Sequence, residues 1–94
     1  MTLLPPVEFQ WDRGNKDKNL KRHGVTNEEI EEVFFGDCMR VVKDAFHSGK
    51  EERYLLIGKT VFGRRLFIVF TLRNNKVRVI SARDLNKKEK GLYL

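Results

Sequence analysis

The sequence predicts an α+β domain, an antiparallel sheet of about four strands packed with two N-terminal helices and a C-terminal helix. Three observations carry this. Residues 26–36 place apolar side chains at helical spacing. Residues 39–83 hold successive strand-length runs rich in Val, Ile, Leu and Phe. The last two runs are joined by Asn74 and Asn75 alone, a hairpin signal. A chain of 94 residues without repeats or a linker suits one domain spanning 1–94.

Pro5 and Pro6 keep the start extended, and Val7, Phe9 and Trp11 then alternate with Glu8 and Gln10 as in a short strand. Trp11 is a candidate core anchor. Asp12 is placed to cap a first helix over about residues 13–22, and Gly24 suits the left-handed position that ends it. Thr26 followed by Glu29 makes a capping box, so a second helix starts at Asn27. Its buried stripe is Ile30, Val33 and Phe34, with Glu28, Glu31 and Glu32 toward water and Gly36–Asp37 closing it.

The strands follow. "MRVVKDA" is a weak one and "ERYLLIGKTV" a stronger one. "RRLFIVFTLR" is apolar on both faces, which predicts a central strand, and "KVRVISAR" returns antiparallel to it. From Asp84, "DLNKKEKGLYL" predicts a polar helix anchored by Leu85, Leu92 and Tyr93.

The turn decides which side chains share a face. In the central run, Arg65, Phe67, Val69, Thr71 and Arg73 lie opposite Leu66, Ile68, Phe70 and Leu72. A strict two-residue loop pairs Arg73 with Lys76 and sends Arg73 and Arg83 to opposite faces. A bulged residue at the turn pairs Arg73 with Val77 and gathers Thr71, Arg73, Ser81 and Arg83. The bulged turn is the expectation, because it collects the polar residues on one face.

The net charge of +6 is unevenly spread. From Arg64 to Leu94 there are nine Lys/Arg against two Asp/Glu, whereas the first 63 residues hold ten against eleven. A basic excess confined to the last third points to a polyanion, most simply nucleic acid. The single cysteine, Cys38, excludes an intramolecular disulfide framework. Two His and one Cys, widely spaced, make no metal site, and no phosphate-binding loop or nucleophile elbow is present. The start lacks a signal-peptide pattern, and the longest apolar run, "LFIVF", is strand-sized, so a cytoplasmic protein without a membrane span is expected.

Paired arginines on a sheet face suit phosphodiester chemistry. A guanidinium is permanently charged, presents fixed donors to phosphate oxygens, and offsets the charge that builds on a phosphorane. Arg73 and Arg83 are therefore candidate catalytic residues, beside a reading as exposed charges at strand ends, with His23, which could equally serve its helix C-terminus, or Lys16 moving protons. Arg65, Arg78, Ser81 and Tyr93 are candidate RNA contacts, and His47 is assigned no role.

The ordered pieces "FQWD", "NLKRHGV", "ERYLLIG", "VFTLR", "VRVISARD" and "EKGLY", from Phe9 to Tyr93, resemble the BrnT toxins of bacterial type II toxin–antitoxin systems, which share a RelE-like ribonuclease fold. The resemblance implies an RNA-cleaving toxin that needs no cofactor and blocks translation. It also implies a BrnA-like ribbon–helix–helix antitoxin that holds the toxin in a hetero-oligomer on operator DNA. It places Asp12, Asn19, His23, Arg73, Ser81 and Arg83 at motif positions. Asn15 departs from the pattern, standing where the family usually carries lysine, with Lys16 beside it. Two other classes stand beside this one: a basic nucleic-acid-binding module without catalysis, and an inactive relative kept for binding its antitoxin, which Asn15 favours.

Overall fold

The computed structural model describes residues 8–44, 49 and 51–93, so Pro5, Pro6, Val7 and His47 lie outside the described residues. In chain order the elements are β1 (Glu8–Phe9), α1 (Lys18–His23), α2 (Asn27–Phe35), β2 (Asp37–Asp44), β3 (Arg53–Lys59), β4 (Arg65–Arg73), β5 (Lys76–Asp84) and α3 (Lys87–Tyr93). The strands form one sheet in the order β1-β5-β4-β3-β2. β2 to β5 are antiparallel neighbours, and β1 adds a short parallel edge beside β5. The α+β expectation agrees with this sheet, and β4 occupies its centre.

The capping box starts α2 as expected. The Glu29 amide donates to Thr26 Oγ1 at 3.0 Å, and the Thr26 amide donates to Glu29 Oε1 at 3.0 Å. Such a cap contributes about 1 kcal/mol. Ile30 and Val33 then bury completely against Leu56, Leu66, Ile68, Phe70, Val77 and Val79. Phe34 packs edge-on against Phe70 at 5.0 Å and against Phe9 at 5.1 Å, while Phe9 stacks on Trp11. Trp11 is accordingly a partly buried member of this core.

The first helix is shorter than the spacing predicts. Asp12 caps a turn rather than a helix: its carbonyl accepts from the Asn15 and Lys16 amides, and its Oδ1 accepts from the Gly14 amide. Asp17 then sits at φ 58, a left-handed conformation that breaks any helix running on from residue 13. Gly24, at φ 66, ends α1 as expected.

The turn between β4 and β5 also differs from expectation. Arg73 pairs with Lys76, and Asn74 and Asn75 adopt φ 52 and φ 63, so the loop is a strict two-residue turn without a bulge. The register slips in mid-strand instead: Val69 pairs with Ser81 and Phe70 with Val79, leaving Ile80 as the extra residue. One face of the hairpin therefore carries Leu66, Ile68, Phe70, Val77, Val79 and Ala82, all buried in the core. The other, the outer face, pairs Phe67, Val69, Thr71 and Arg73 with Arg83, Ser81, Arg78 and Lys76. Arg73 and Arg83 do share a face, but a different bulge puts them there. Arg78 joins them, while Val77 and Val79 face the core.

Arg64 closes the structure at the far end of the hairpin. Its guanidinium donates to both carboxylate oxygens of Asp84 (2.6 and 2.9 Å), to the carbonyls of Gly24 (2.8 Å) and His23 (3.2 Å), and to Glu29 (3.3 Å). It thereby ties the end of α1, the first turn of α2 and the end of β5 together. Among the described residues no helix is long and apolar enough to cross a membrane.

Candidate functional site

The outer face of the β4–β5 hairpin carries two arginine centres, one at each end. At the turn end, Glu51, Arg53, Thr71, Arg73, Arg78 and Ile80 line a cleft of about 320 Å³. Three guanidinium-bearing side chains meet there because β3, β4 and β5 run side by side and Thr71 and Arg78 are cross-strand partners. Arg73 donates from Nε and Nη2 to the two oxygens of Glu51, both at 2.7 Å. Arg78 grips Asp12 at 2.5 and 3.1 Å and reaches Gln10 Oε1 at 3.4 Å. These bonds hold the Asp12 and Glu51 carboxyls below the usual carboxylate range, Asp12 chiefly through Arg78 and Glu51 chiefly through Arg73. In return, Glu51 holds the Arg73 guanidinium more firmly protonated. Thr71 is buried, its hydroxyl donating to the Glu52 carbonyl at 2.7 Å.

Gly14 makes room for this arrangement. A β-carbon on it would lie 2.8 Å from Arg78 Nη2 and 3.2 Å from Asp12 Oδ1. A turn packed so closely under an ion pair admits no larger residue without moving that pair.

At the other end, the Arg83 guanidinium lies 4.4 Å from the centre of the Phe67 ring. It donates to both oxygens of Glu89 in α3, at 2.6 and 2.8 Å, and to the Asp84 carbonyl at 3.2 Å. Arg83 is the first cause that draws the Glu89 carboxyl below its usual range, helped by the Asn86 amide. Planar pairing with a carboxylate and stacking on a ring are both properties of guanidinium that an ammonium lacks. Ser81, half-buried, lies between the two centres opposite Val69, and Arg65 is exposed at the start of β4.

Arg73 and Arg83 share the face but not a ligand. Arg83 stands opposite Phe67, six positions from Arg73 along β4, which at the rise of a strand is about 20 Å. Lys16 is exposed on the turn whose Asp12 holds Arg78. His23 is exposed at the opposite end, where its carbonyl accepts from Arg64 and its ring lies close enough to Asp84 to act on that carboxyl. The Tyr93 side chain lies outside the described residues. Asn15, 2% exposed, turns inward: its Nδ2 donates to the Gln10 carbonyl (2.8 Å) and the Val79 carbonyl (3.3 Å). It is part of the scaffold, not of the outer face. Among the described residues no three His, Cys, Asp or Glu side chains gather as metal ligands would.

Sequence reasoning missed Glu51, Arg53, Glu89 and the second use of Asp12. Asp12 resembled a helix cap, and the others are charges that acquire partners only when separate strands align. Arg78 was legible as a basic residue, but its place beside Arg73 follows from the strict two-residue turn.

Residues 11–89 match the model of a family described as ribonuclease toxin, BrnT, of type II toxin-antitoxin systems. The matched span contains Asp12, Glu51, Arg53, Arg73 and Arg78 of the cleft, and both members of the Arg83–Glu89 pair. No curated protein matches the chain.

Proposed function

Because the chain belongs to the BrnT family of ribonuclease toxins of type II toxin–antitoxin systems, we propose that it cleaves RNA without a metal ion on the outer face of the β4–β5 hairpin. The observation that carries this is the convergence of Arg53, Arg73 and Arg78 on one cleft of a size to take a phosphate and its ribose. An extended RNA strand runs along β4, with the reacting phosphate in the cleft and a later stretch of the strand at Arg83. The ribose 2′-oxygen attacks the adjacent phosphorus, and the bond to the 5′-oxygen breaks. The products are a 2′,3′-cyclic phosphate and a 5′-hydroxyl.

In this scheme Arg73 and Arg78 exchange their carboxylate partners for phosphate oxygens and offset the charge on the phosphorane. Glu51, released from Arg73, recovers basicity and accepts the proton of the attacking hydroxyl. Lys16, on the turn beside Arg78, supplies a proton to the leaving 5′-oxygen. Arg83, Ser81 and Arg65 hold RNA beyond the cleft, and Tyr93 is a further candidate RNA contact. His23, at the opposite end beside Asp84, moves no proton. A BrnA-like ribbon–helix–helix antitoxin neutralises the toxin in the cytoplasm and carries it onto operator DNA.

Incubation of the purified protein with RNA in EDTA tests this, beside Arg73→Ala and Arg83→Ala. Arg73→Ala is expected to lower kcat by about 100-fold, in the range seen when one preorganised donor is removed. Arg83→Ala is expected to raise KM instead. RNA bound but left intact by the wild type would indicate a binding module. If RNA is neither bound nor cut while a co-expressed ribbon–helix–helix protein co-purifies, the chain is an antitoxin-binding relative. Equal cleavage by the wild type and Arg73→Ala would remove Arg73 from the mechanism.

A further inference from the structure

The bulge at Ile80 brings Arg83 to the face that Arg73 and Arg78 already share, and the outer edge of β5 shows what holds it. β1 covers only the beginning of that edge: Glu8 pairs with Lys76, Phe9 with Val77, and the Gln10 amide donates to the Val77 carbonyl at 2.8 Å. Beyond this point the backbone of β5 is met by side chains. Asn15 Nδ2 donates to the Val79 carbonyl at 3.3 Å. Lys18 Nζ donates to the Ile80 carbonyl at 3.0 Å. The Ala82 amide donates to Asn19 Oδ1 at 2.9 Å.

In a regular strand, successive carbonyls turn to opposite edges. Here the consecutive carbonyls of Val79 and Ile80 both find donors on the α1 side, which is the hydrogen-bonding signature of one residue too many. Asn15 and Asn19 are 2% and 1% exposed, so they are committed to the backbone and not to solvent. Asn15 also accepts from the Asp12 amide at 2.8 Å, which connects the bulge to the turn whose carboxylate grips Arg78. Without these three side chains the ladder gains by taking Ile80 into register and pairing it with Val69. That slip turns Ser81 and Arg83 toward the core and Ala82 outward. A buried guanidinium is not tolerated there, so the strand beyond Ile80 loses its order.

We propose that Asn15, Lys18 and Asn19 are positioning residues for RNA cleavage, a side-chain continuation of β1 that holds the bulge at Ile80 and so keeps Ser81 and Arg83 on the face of Arg73 and Arg78. The proposal rests on the reading of that face as the RNA-cleaving site, but it has a structural consequence of its own.

The test compares Lys18→Met, Lys18→Arg and Asn19→Ala with Thr26→Ala, which removes the capping box of α2 without touching β5. Each is assayed for RNA cleavage at a temperature where it is fully folded, and the cross-strand partner of Val69 is read from nuclear Overhauser effects. Lys18→Met and Asn19→Ala are expected to lose ten- to a hundredfold in kcat/KM, chiefly through KM, the scale of losing a charge-assisted hydrogen bond to the RNA. In both, the Val69–Ser81 contacts weaken. Lys18→Arg restores most of the activity, and Thr26→Ala keeps wild-type kcat/KM. The proposal is overturned if Lys18→Met and Asn19→Ala cleave like the wild type, or if activity falls while the Val69–Ser81 contacts stay intact. Should Asn19→Ala fail to fold, the two Lys18 variants decide. Should the wild type not cleave RNA, the reading of the site fails, and the contacts of Val69 in the variants alone decide whether these side chains hold the bulge.

Discussion

Arg64 and Arg73 are both arginines of the basic last third, yet the structure gives them different work, and Arg64→Met separates the two. Methionine keeps much of the length of the arginine stem and removes every donor. The Gly24 and His23 carbonyls each lose a hydrogen bond worth about 1 kcal/mol. Asp84 is more than half exposed and Arg64 is 29% exposed, so their doubly bonded pair contributes at most about 1 kcal/mol after solvent screening. Glu29 keeps its bonds to Thr26 and loses little. Together these give a loss of about 2–3 kcal/mol from the bonds of Arg64. In a chain of 94 residues, each 1 kcal/mol moves Tm by about 4–8 °C, so a fall of about 8–24 °C is expected. Thermal unfolding followed by circular dichroism measures it, and cleavage of RNA by the folded variant should stay within about twofold of wild type. A drop in Tm of less than about 3 °C would refute the assignment of Arg64 as the clasp. So would a variant that is folded but as inactive as Arg73→Ala.

Three further expectations follow from the same geometry. Gly14→Ala should leave Tm nearly unchanged, because the clash falls on the movable end of Arg78, while RNA cleavage drops several-fold; unchanged kinetics would show that the Arg78–Asp12 pair is dispensable. Glu89→Gln should speed amide hydrogen exchange across residues 87–92, since the carboxylate that pins α3 to Arg83 loses its charge, and unaltered protection there would contradict the pinning. The folded-state pKa values of Glu29, Asp84 and Glu89 lie below their unfolded values, for Asp84 and Glu89 because of Arg64 and Arg83 and for Glu29 because the Thr26 amide and Arg64 outweigh burial. Stability from these groups is therefore complete above about pH 5 and is lost as pH falls through the unfolded values near 4 into the depressed folded ones. Urea midpoints between pH 6 and pH 3 should decline only in the lower part of that range, and Glu89→Gln should flatten the decline.

The local elements were legible because their signals are local. Thr26 and Glu29 specify a cap within four residues, Gly24 supplies a left-handed φ, and the double-sided apolar run from Leu66 to Leu72 marks the central strand. Two consecutive Asn residues, both able to take positive φ, specify the tight two-residue turn and not a bulged one. The bulge at Ile80 carries no glycine and no local mark. It depends on Asn15, Lys18 and Asn19 lying 62 to 64 residues away in sequence. The same applies to the site. Arg73, Arg78 and Arg83 were identifiable as charges, but their division into two centres follows from a register fixed by distant partners. Asn15 illustrates the limit most clearly: as a missing lysine it suggested impaired chemistry, whereas its side chain serves the backbone of β5.

The central claim is that RNA lies on the outer face of the β4–β5 hairpin. The most direct measurement is an NMR titration of the protein with a short RNA whose ribose 2′-hydroxyls are replaced by hydrogen, so that it binds without being cut. The account predicts that the amide signals of Thr71, Arg73, Arg78, Ser81 and Arg83 and the Nε–H signals of their arginines move together. Those of Ile30, Val33 and Arg64 should stay in place. Shifts confined to α1, α2 and Arg64, with the outer face silent, would contradict it.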